Sequence, residues 1–153
     1  MLKKKGLYIG LISNCFSEEV EAIKESKLYP YFDRAYLSFA QGVQKPDKEI
    51  FIRCMNGFDV KAEECLYIGD GGSFELETAS KLGMTAIQAV WYLRDGTMQP
   101  SKRKEGFLQC ESPLEILKYC YLEYRNHEWK YTRLDEGEYF EAEEEKKKQA
   151  KDH

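Results

Sequence analysis

The sequence predicts an α/β fold built on a parallel sheet. Short apolar runs alternate along the chain with stretches of helical periodicity that carry start and stop signals for helices. Strands that alternate with helices form β-α-β units, and these units place the strands parallel with right-handed crossovers. Small polar and acidic residues follow several of the apolar runs, and α/β proteins place their chemistry at the carboxyl ends of the strands.

The first predicted strand is Leu7 to Ile12, whose continuous apolar character is typical of a strand buried on both faces. A helix is expected after it, with Ser17 as its N-cap and the acids Glu18 and Glu19 at the positive end of its dipole. The Tyr29-Pro30 pair is expected to end this helix, because a proline restricts the residue before it.

The next units repeat this pattern. Arg34 to Phe39 predicts a second strand, and the helix after it is expected to have Pro46 near its first position and to end at Gly57. Cys65 to Gly69 predicts a third strand, and Ser73 is the expected N-cap of the helix that follows.

The fourth unit closes the predicted core. Gly83 is expected to end the third helix, and Thr85 to Trp91 predicts a fourth strand. Beyond it, Pro113 is expected to open a helix through LEILKYCYLEY. We therefore predict a core over residues 1–121 and a charged C-terminal tail over 122–153, which from about Asn126 forms a solvated helix or a frayed end.

Composition narrows the classes of function. The 153 residues, 42% of them hydrophobic and 33% charged, fit one soluble domain. A net charge of −4 argues against nucleic acid or an anionic membrane as a partner, because such surfaces are usually bound through a basic stripe. No run approaches the ~18 apolar residues of a membrane helix. The five cysteines include no C-x-x-C pair, which favours the reducing cytoplasm over a disulfide framework.

Asp70 and Glu75 stand after the third predicted strand, separated by the Gly71-Gly72 pair. The glycines let the backbone turn sharply, so that both carboxylates can converge on one hard cation such as Mg²⁺. The alternative, on these residues alone, is structural: Glu75 would complement the helix N-terminus and Asp70 would cap a turn.

Two further loops carry residues suited to a phosphate group. Ser13 offers a hydroxyl after the first predicted strand, and Lys45 offers a cation in the loop before Pro46. Each is ordinary alone, since a loop lysine is usually solvated and a Ser-Asn pair after a strand usually forms a turn. Their significance lies in their order along the chain, followed by Asp70.

Three segments resemble motifs II, III and IV of the haloacid dehalogenase (HAD) superfamily: LISN, KPDKEIF and YIGDGGSFELETASKLGM, in that order. The sequences of these motifs are most similar to those of the phosphoglycolate-phosphatase-like branch. The resemblance runs from about Leu2 to Leu117. It implies a Rossmann-like HAD core with a parallel sheet. It also implies phosphatase-type hydrolase activity on a small phosphorylated metabolite, with Mg²⁺ as the cofactor.

The resemblance further implies roles for the matched residues. Ser13 and Lys45 are the catalytic pair: Ser13 binds the transferring phosphoryl group and Lys45 steadies the phospho-intermediate, with Asn14 completing the phosphate-binding set. Asp70 ligates Mg²⁺, and Glu75 supports the metal. The family usually has aspartate at this last position, and the longer Glu75 side chain can act through water or orient a loop instead.

The family's first motif, D-x-D-G-T-L, supplies the nucleophilic aspartate and the general acid/base, and it has no counterpart here. The nearest match is LRDGTM, in which Asp95-Gly96-Thr97 fits the second half, but Leu93 stands in the nucleophile's place and cannot attack phosphorus. The cap domain that commonly follows the first motif is missing as well. The expectation is the C-terminal portion of a HAD core, inactive as this chain alone.

In the HAD sheet the strand of the first motif is central, between the strands of motifs II and IV. Without it, two strand edges are expected to be unpaired, and such edges readily pair with another chain. The expected partners are a separate N-terminal half or a second copy of this chain, unless the two edges pair directly. The alternative function is a non-catalytic module that keeps a Mg²⁺ and phosphate pocket for binding or assembly.

Overall fold

The computed structural model of the chain describes residues 2–3, 6–93, 102–125 and 128–132. Its strands are β1 (Gly10–Ser13), β2 (Arg34–Leu37), β3 (Leu66–Gly69), β4 (Thr85–Ala89), β5 (Leu108–Cys110), β6 (Tyr121–Arg125) and β7 (Glu128–Thr132). Its α-helices are α1 (Ser17–Glu25), α2 (Ser38–Gln41), α3 (Lys48–Phe58) and α4 (Glu75–Leu82), and 3-10 turns cover Tyr29–Tyr31, Ala62–Glu64 and Pro113–Tyr119. The predicted α/β class is confirmed, since parallel strands alternate with helices from β1 to β4.

The strands form separate ladders. β1 pairs in parallel with β2, with Gly10 opposite Arg34 and Ser13 opposite Leu37. β3, β4 and β5 form a second parallel sheet in that order, and β6 and β7 form an antiparallel hairpin. Within the described ranges, no strand pairs with the second side of β1 or of β3, so no ladder joins the two parallel sheets.

One hydrophobic core nevertheless spans the two parallel sheets. α3 lies against β1 and β2 and also contacts α4, which packs on β3 and β4. Ile50 and Phe51 of α3 are fully buried together with Leu76 of α4. Ile12 of β1 and Tyr67 of β3 pack against this same cluster. Apolar burial between α3 and α4, at about 25 cal/mol per Å² of buried surface, therefore holds the sheets together without a ladder between them.

β1 is shorter and less buried than the sequence predicts. It begins at Gly10 rather than Leu7, and the N–H of Ile9 donates to the Asp33 side chain at 2.8 Å instead of to a neighbouring strand. Leu11 and Ile12 are half-buried rather than buried on both faces. The reason is that β1 has a described ladder partner on one side only and that α1 buries none of its residues.

Two predicted N-caps are wrong. Ser17 is the first residue of α1, and the cap position belongs to Phe16, whose N–H donates to the Glu19 carboxylate at 2.7 Å. Ser73 precedes the cap of α4, which is Phe74 in a left-handed conformation with φ 53°. At both helix starts a glutamate of the first turn, rather than a serine hydroxyl, accepts a backbone N–H that the helix leaves unpaired.

α3 begins and ends later than the sequence predicts. Pro46 lies before the N-cap residue Asp47, whose carboxylate accepts a first-turn N–H at 2.9 Å. Gly57 lies inside the helix, and the chain leaves it at Asp59, which has φ 54°. The predicted end of α4 at Gly83 is confirmed, with φ 98° at that glycine.

The helix predicted to open at Pro113 is wrong beyond its first turns. A 3-10 segment ends at Tyr119, and the chain then enters the β6–β7 hairpin, which replaces the predicted solvated helix or frayed end over residues 128–132. Apolar and charged residues alternate in LEYR and in EWKY, which is the period of a strand. The charged run beyond the hairpin, residues 133–153, lies outside the described residues. None of the helices in the described ranges has the length and apolar character needed to cross a membrane.

Gly57→Ala is expected to destabilise the protein, although alanine normally stabilises a helix interior by about 0.5–1 kcal/mol over glycine. A Cβ at this position would lie 1.8 Å from the hydroxyl oxygen of Tyr36. We expect the free energy of unfolding, measured with urea, to fall by about 1–3 kcal/mol. The Tyr36→Phe background is the matched control, because it removes the clashing oxygen and should recover part of the loss. A stabilising Gly57→Ala would contradict the expectation.

Candidate functional site

The side chain of Asn14 ties together the loops that follow β1 and β2. The Lys45 N–H donates to Asn14 Oδ1 at 2.8 Å, and Asn14 Nδ2 donates back to the Lys45 carbonyl at 3.0 Å. Ser13 is the last residue of β1 and lies opposite Leu37, the last residue of β2. The three predicted site residues therefore lie together where β1 ends and the lysine loop meets it: Ser13, Asn14 and Lys45.

Ser38 makes a second tie between these loops, which the sequence analysis missed. Its buried hydroxyl accepts the Cys15 N–H at 2.9 Å and donates to the Cys15 carbonyl at 3.1 Å. One hydroxyl thereby satisfies both backbone polar groups of the residue where the chain turns after β1. The sequence placed Ser38 inside the second predicted strand, whereas β2 ends at Leu37 and Ser38 begins α2.

Thr78 joins these loops to the acidic loop that follows β3. From α4, its hydroxyl donates to the Pro46 carbonyl at 2.9 Å. Because Pro46 follows Lys45 directly, the lysine loop is anchored to Asn14 on one side and to α4 on the other. The three motif loops are thus connected although no described ladder joins the two sheets.

Glu75 organises the acidic loop. Its side chain is buried, and its two carboxylate oxygens accept the N–H groups of Gly71 and Ser73, each at 2.7 Å. Asp70 Oδ1 accepts the Gly72 N–H at 2.8 Å in the same loop. These are the structural roles that the sequence left open for the two acids. Ligation of Mg²⁺ by Asp70 and Glu75 stays a prediction, and within the described ranges no three His, Cys, Asp or Glu side chains converge as a metal site.

Two glycines leave room for this arrangement. A Cβ at Gly69 would lie 2.7 Å from Glu75 Oε1, so a larger residue there would displace the buried carboxylate. Gly71 has φ 93°, a conformation that side-chain-bearing residues rarely adopt, and a Cβ there would lie 2.8 Å from the Lys104 side chain. The acidic loop is therefore confined between Glu75 and Lys104.

Two tyrosines lie close to the charged side chains of the acidic loop, and neither was predicted from the sequence. Burial raises the pKa of the Tyr67 phenol, and the negative charges of Glu75 and Asp70 raise it further. Burial also raises the pKa of the Tyr92 phenol, and the charges of Asp70 and Glu75 raise it further. Both phenols therefore lie close enough to the two acids of this loop to be affected by their charge.

Comparison with known proteins places these loops in a family. The chain matches the model of the haloacid dehalogenase-like hydrolases over residues 1–89. It is similar to the glyceraldehyde 3-phosphate phosphatase of Pyrococcus furiosus, at 32% identity over 92 residues that cover 60% of this chain and 37% of the relative. The chain thus spans little more than a third of that relative's length.

Solved structures share the fold. A HAD phosphatase from Thermococcus onnurineus superposes with a TM-score of 0.64 at 23% sequence identity, over 76% of this chain and 52% of that one. The magnesium-bound HAD-hydrolase YfnB from Bacillus subtilis gives a TM-score of 0.58 at 19% identity, over 74% of this chain and 50% of that one. The predicted Rossmann-like core is confirmed by these likenesses together with the parallel strands.

Glu75→Gln is expected to destabilise the protein by about 1–3 kcal/mol, because an amide would point its NH₂ group at a backbone N–H and leave that donor unpaired. Glu77→Gln is the matched control: it removes the same charge from the same helix, but from a side chain that is 33% exposed and paired with Lys104. We expect the control to change the free energy of unfolding by at most about 1 kcal/mol. Equal losses in urea denaturation would contradict the role assigned to Glu75.

Proposed function

This chain belongs to the haloacid dehalogenase-like hydrolase family, and from that premise we propose that it carries the phosphate-binding and metal-binding loops of a phosphatase for a small phosphorylated metabolite. The observation that carries the proposal is the connection of the three motif loops by the Asn14–Lys45 and Thr78–Pro46 hydrogen bonds. A hydroxyl, an ammonium and a carboxylate on connected loops form the set of groups that phosphoryl transfer uses. The name of the Pyrococcus furiosus relative supports the substrate class.

In this proposal Ser13, Asn14 and Lys45 bind the phosphoryl group. The Lys45 ammonium has no acidic partner within the part of the chain that the structure describes, so it is available to an anion. The Asn14 side chain is engaged in both directions by the Lys45 backbone, so in this proposal Asn14 contributes to phosphate binding through its main chain. Lys45 then acts as the charge that steadies the phosphorylated intermediate.

Asp70 is the residue proposed to hold Mg²⁺ directly. Its carboxylate supplies the hard oxygen donors that Mg²⁺ prefers, and one or two carboxylates with several waters commonly suffice for this ion. Glu75 supports the metal indirectly, since each of its oxygens already accepts an N–H at 2.7 Å and thereby holds the loop that presents Asp70. When bound, Mg²⁺ would neutralise charge on the transferring phosphoryl group.

In this proposal the chain does not supply the aspartate nucleophile of the phosphatase reaction. No D-x-D-G-T motif occurs in the sequence, and Leu93 precedes the nearest match, whose Asp95 lies outside the described residues. Serine, lysine and metal-binding loops orient and stabilise a phosphoryl group but do not replace the attacking carboxylate. The chain alone is therefore proposed to have no phosphatase activity.

The partner is proposed to be a polypeptide segment that pairs with β1 and β3. Both strands lack a ladder on one side within the described ranges, while α3 and α4 already hold their sheets against one core. Unpaired N–H and C=O groups along a strand favour the addition of another strand. A segment that ends its strand in D-x-D-G-T would place the nucleophile beside Ser13 and Asp70. Self-association of two copies through these edges is the competing arrangement.

Mg²⁺ binding should depend on Asp70. In calorimetric titration the wild-type chain is expected to bind Mg²⁺ weakly, because few protein oxygens replace the waters of the ion. Asp70→Asn should weaken binding at least about tenfold, the loss expected for one ligating carboxylate. Asp59→Asn is the matched control, since it removes the same charge at the far end of α3, where asparagine also tolerates the left-handed backbone. Identical isotherms for wild type and Asp70→Asn would rule out this metal site.

Phosphatase activity should require a second polypeptide. The isolated chain, assayed with Mg²⁺ and p-nitrophenyl phosphate, is expected to show no more turnover than the Lys45→Ala/Asp70→Asn double variant. Co-expression with a HAD N-terminal segment that ends its first strand in D-x-D-G-T should raise the soluble yield and the thermal midpoint, and should produce activity that depends on Lys45 and Asp70.

The control partner carries asparagine in place of its nucleophilic aspartate. It should raise the thermal midpoint without producing activity, which separates assembly from catalysis. Turnover by the isolated chain that the double variant abolishes would mean that the nucleophile lies within this sequence. Binding of Mg²⁺ and phosphate without activity under any pairing would favour the non-catalytic module.

A further inference from the structure

Gln88 is a buried polar residue that the proposed phosphatase chemistry does not use. It lies in β4 between Ile87 and Ala89, and its exposed fraction is 0%. An amide side chain in such a position is strongly unfavourable unless its polar atoms are hydrogen-bonded. Its partners therefore indicate why the chain keeps an amide there.

The Gln88 side chain connects the acidic loop to a distant segment of the chain. Its Nε2 donates to the Asp70 carbonyl at 2.9 Å and to the Lys102 carbonyl at 3.1 Å. Its Oε1 accepts the Lys104 N–H at 2.8 Å and a longer bond from Gln109 Nε2 at 3.3 Å. Both polar atoms of the side chain are thus hydrogen-bonded. The single planar amide holds the Asp70 carbonyl and the Lys102 carbonyl through the same nitrogen.

The Lys104 side chain makes further contacts between the 102–104 segment and the acidic loop. Its ammonium pairs with Glu77 of α4 and lies 4.8 Å from the ring centroid of Phe74. Its stem approaches the backbone of Gly71, directly after Asp70, so closely that a Cβ on Gly71 would lie 2.8 Å from Lys104 Cε. The segment from Lys102 to Lys104 is therefore attached to the acidic loop both through Gln88 and through its own side chain.

We propose that Gln88 is a positioning residue that holds the Asp70 backbone and couples the order of the 102–104 segment to the geometry of the acidic loop. The proposal rests on the proposed function in one respect, because the loop that it positions is the one assigned to Mg²⁺. Asp70 Oδ1 is held by the Gly72 N–H of the same loop, so a peptide plane fixed at Asp70 also limits where its carboxylate can point. Gln88 touches no reacting group and acts only through this backbone.

The experiment compares Gln88→Met with Gln109→Met. Methionine matches the length of glutamine but forms none of these hydrogen bonds. Gln109 is the matched control, because it lies opposite Gln88 in β5 and contacts both Gln88 and the Lys104 carbonyl but has no bond to Asp70. Amide hydrogen exchange is measured at Gly72 and Lys104 by NMR on the full chain, first without metal and then across a Mg²⁺ titration.

Without metal, Gln88→Met should speed exchange at both Gly72 and Lys104 by about tenfold, the equivalent of one net hydrogen bond, whereas Gln109→Met should leave Gly72 unchanged. In the wild type, Mg²⁺ should slow exchange at Gly72 and at Lys104 together, and in Gln88→Met only at Gly72. A general loss of stability would instead speed exchange throughout α3 as well, which separates positioning from a structural role.

Equal amide exchange rates at Gly72 in the two variants would overturn the proposal. So would a Mg²⁺ titration of the wild type that slows exchange at Gly72 but not at Lys104. If Gln88→Met does not fold, the wild-type titration still decides, because its Lys104 amide either responds to Mg²⁺ or does not. If the wild type binds no Mg²⁺ at all, the metal-site proposal fails, and the exchange rates without metal decide the role of Gln88 on their own.

Discussion

The acidic loop depends on a carboxylate that is removed from water and satisfied by its own backbone. Glu75 is 1% exposed and accepts two N–H groups of the turn that precedes it. This arrangement requires glycine at Gly69, where a Cβ would collide with the carboxylate, and at Gly71, where φ is 93°. α4 begins at Glu75, so the conformation of the loop sets the direction of this helix. The direction of α4 in turn brings the Thr78 hydroxyl within hydrogen-bond distance of the Pro46 carbonyl.

The two parallel sheets are united by side chains rather than by backbone hydrogen bonds in the described part of the chain. α3 and α4 bury a common cluster that includes Ile50, Phe51 and Leu76. Such packing is non-directional, so it can hold two sheets at a fixed separation without specifying a strand register between them. The register of anything placed between β1 and β3 would be set by the edges themselves, whose N–H and C=O groups are directional.

The sequence predicted the strands of the parallel sheets better than it predicted the ends of the elements. The apolar runs located β1 to β4, because a short continuous apolar run is typical of a strand, whereas β5 was not predicted. The caps at Phe16 and Phe74 could not be predicted, since the groups that accept the N–H bonds are glutamates inside the helices. The role of Gln88 could not be predicted, because a single polar residue within an apolar run carries no signal of its partners. Only the folded structure brings Lys102 and Lys104 next to it. The β6–β7 hairpin was predictable from its alternation, which the expectation of a helix at Pro113 obscured.

The two hydrogen bonds between the Asn14 side chain and Lys45 involve only main-chain atoms of Lys45. Every amino acid except proline offers the same N–H and C=O, so the shape of this loop is independent of the side chain at position 45. Position 14 has no such freedom, because an ionised aspartate accepts but cannot donate and a leucine does neither, whereas an amide presents both complementary groups. In the evolution of this loop, the charge at position 45 can therefore be gained, lost or exchanged without unfolding it, whereas substitution at position 14 alters the scaffold itself.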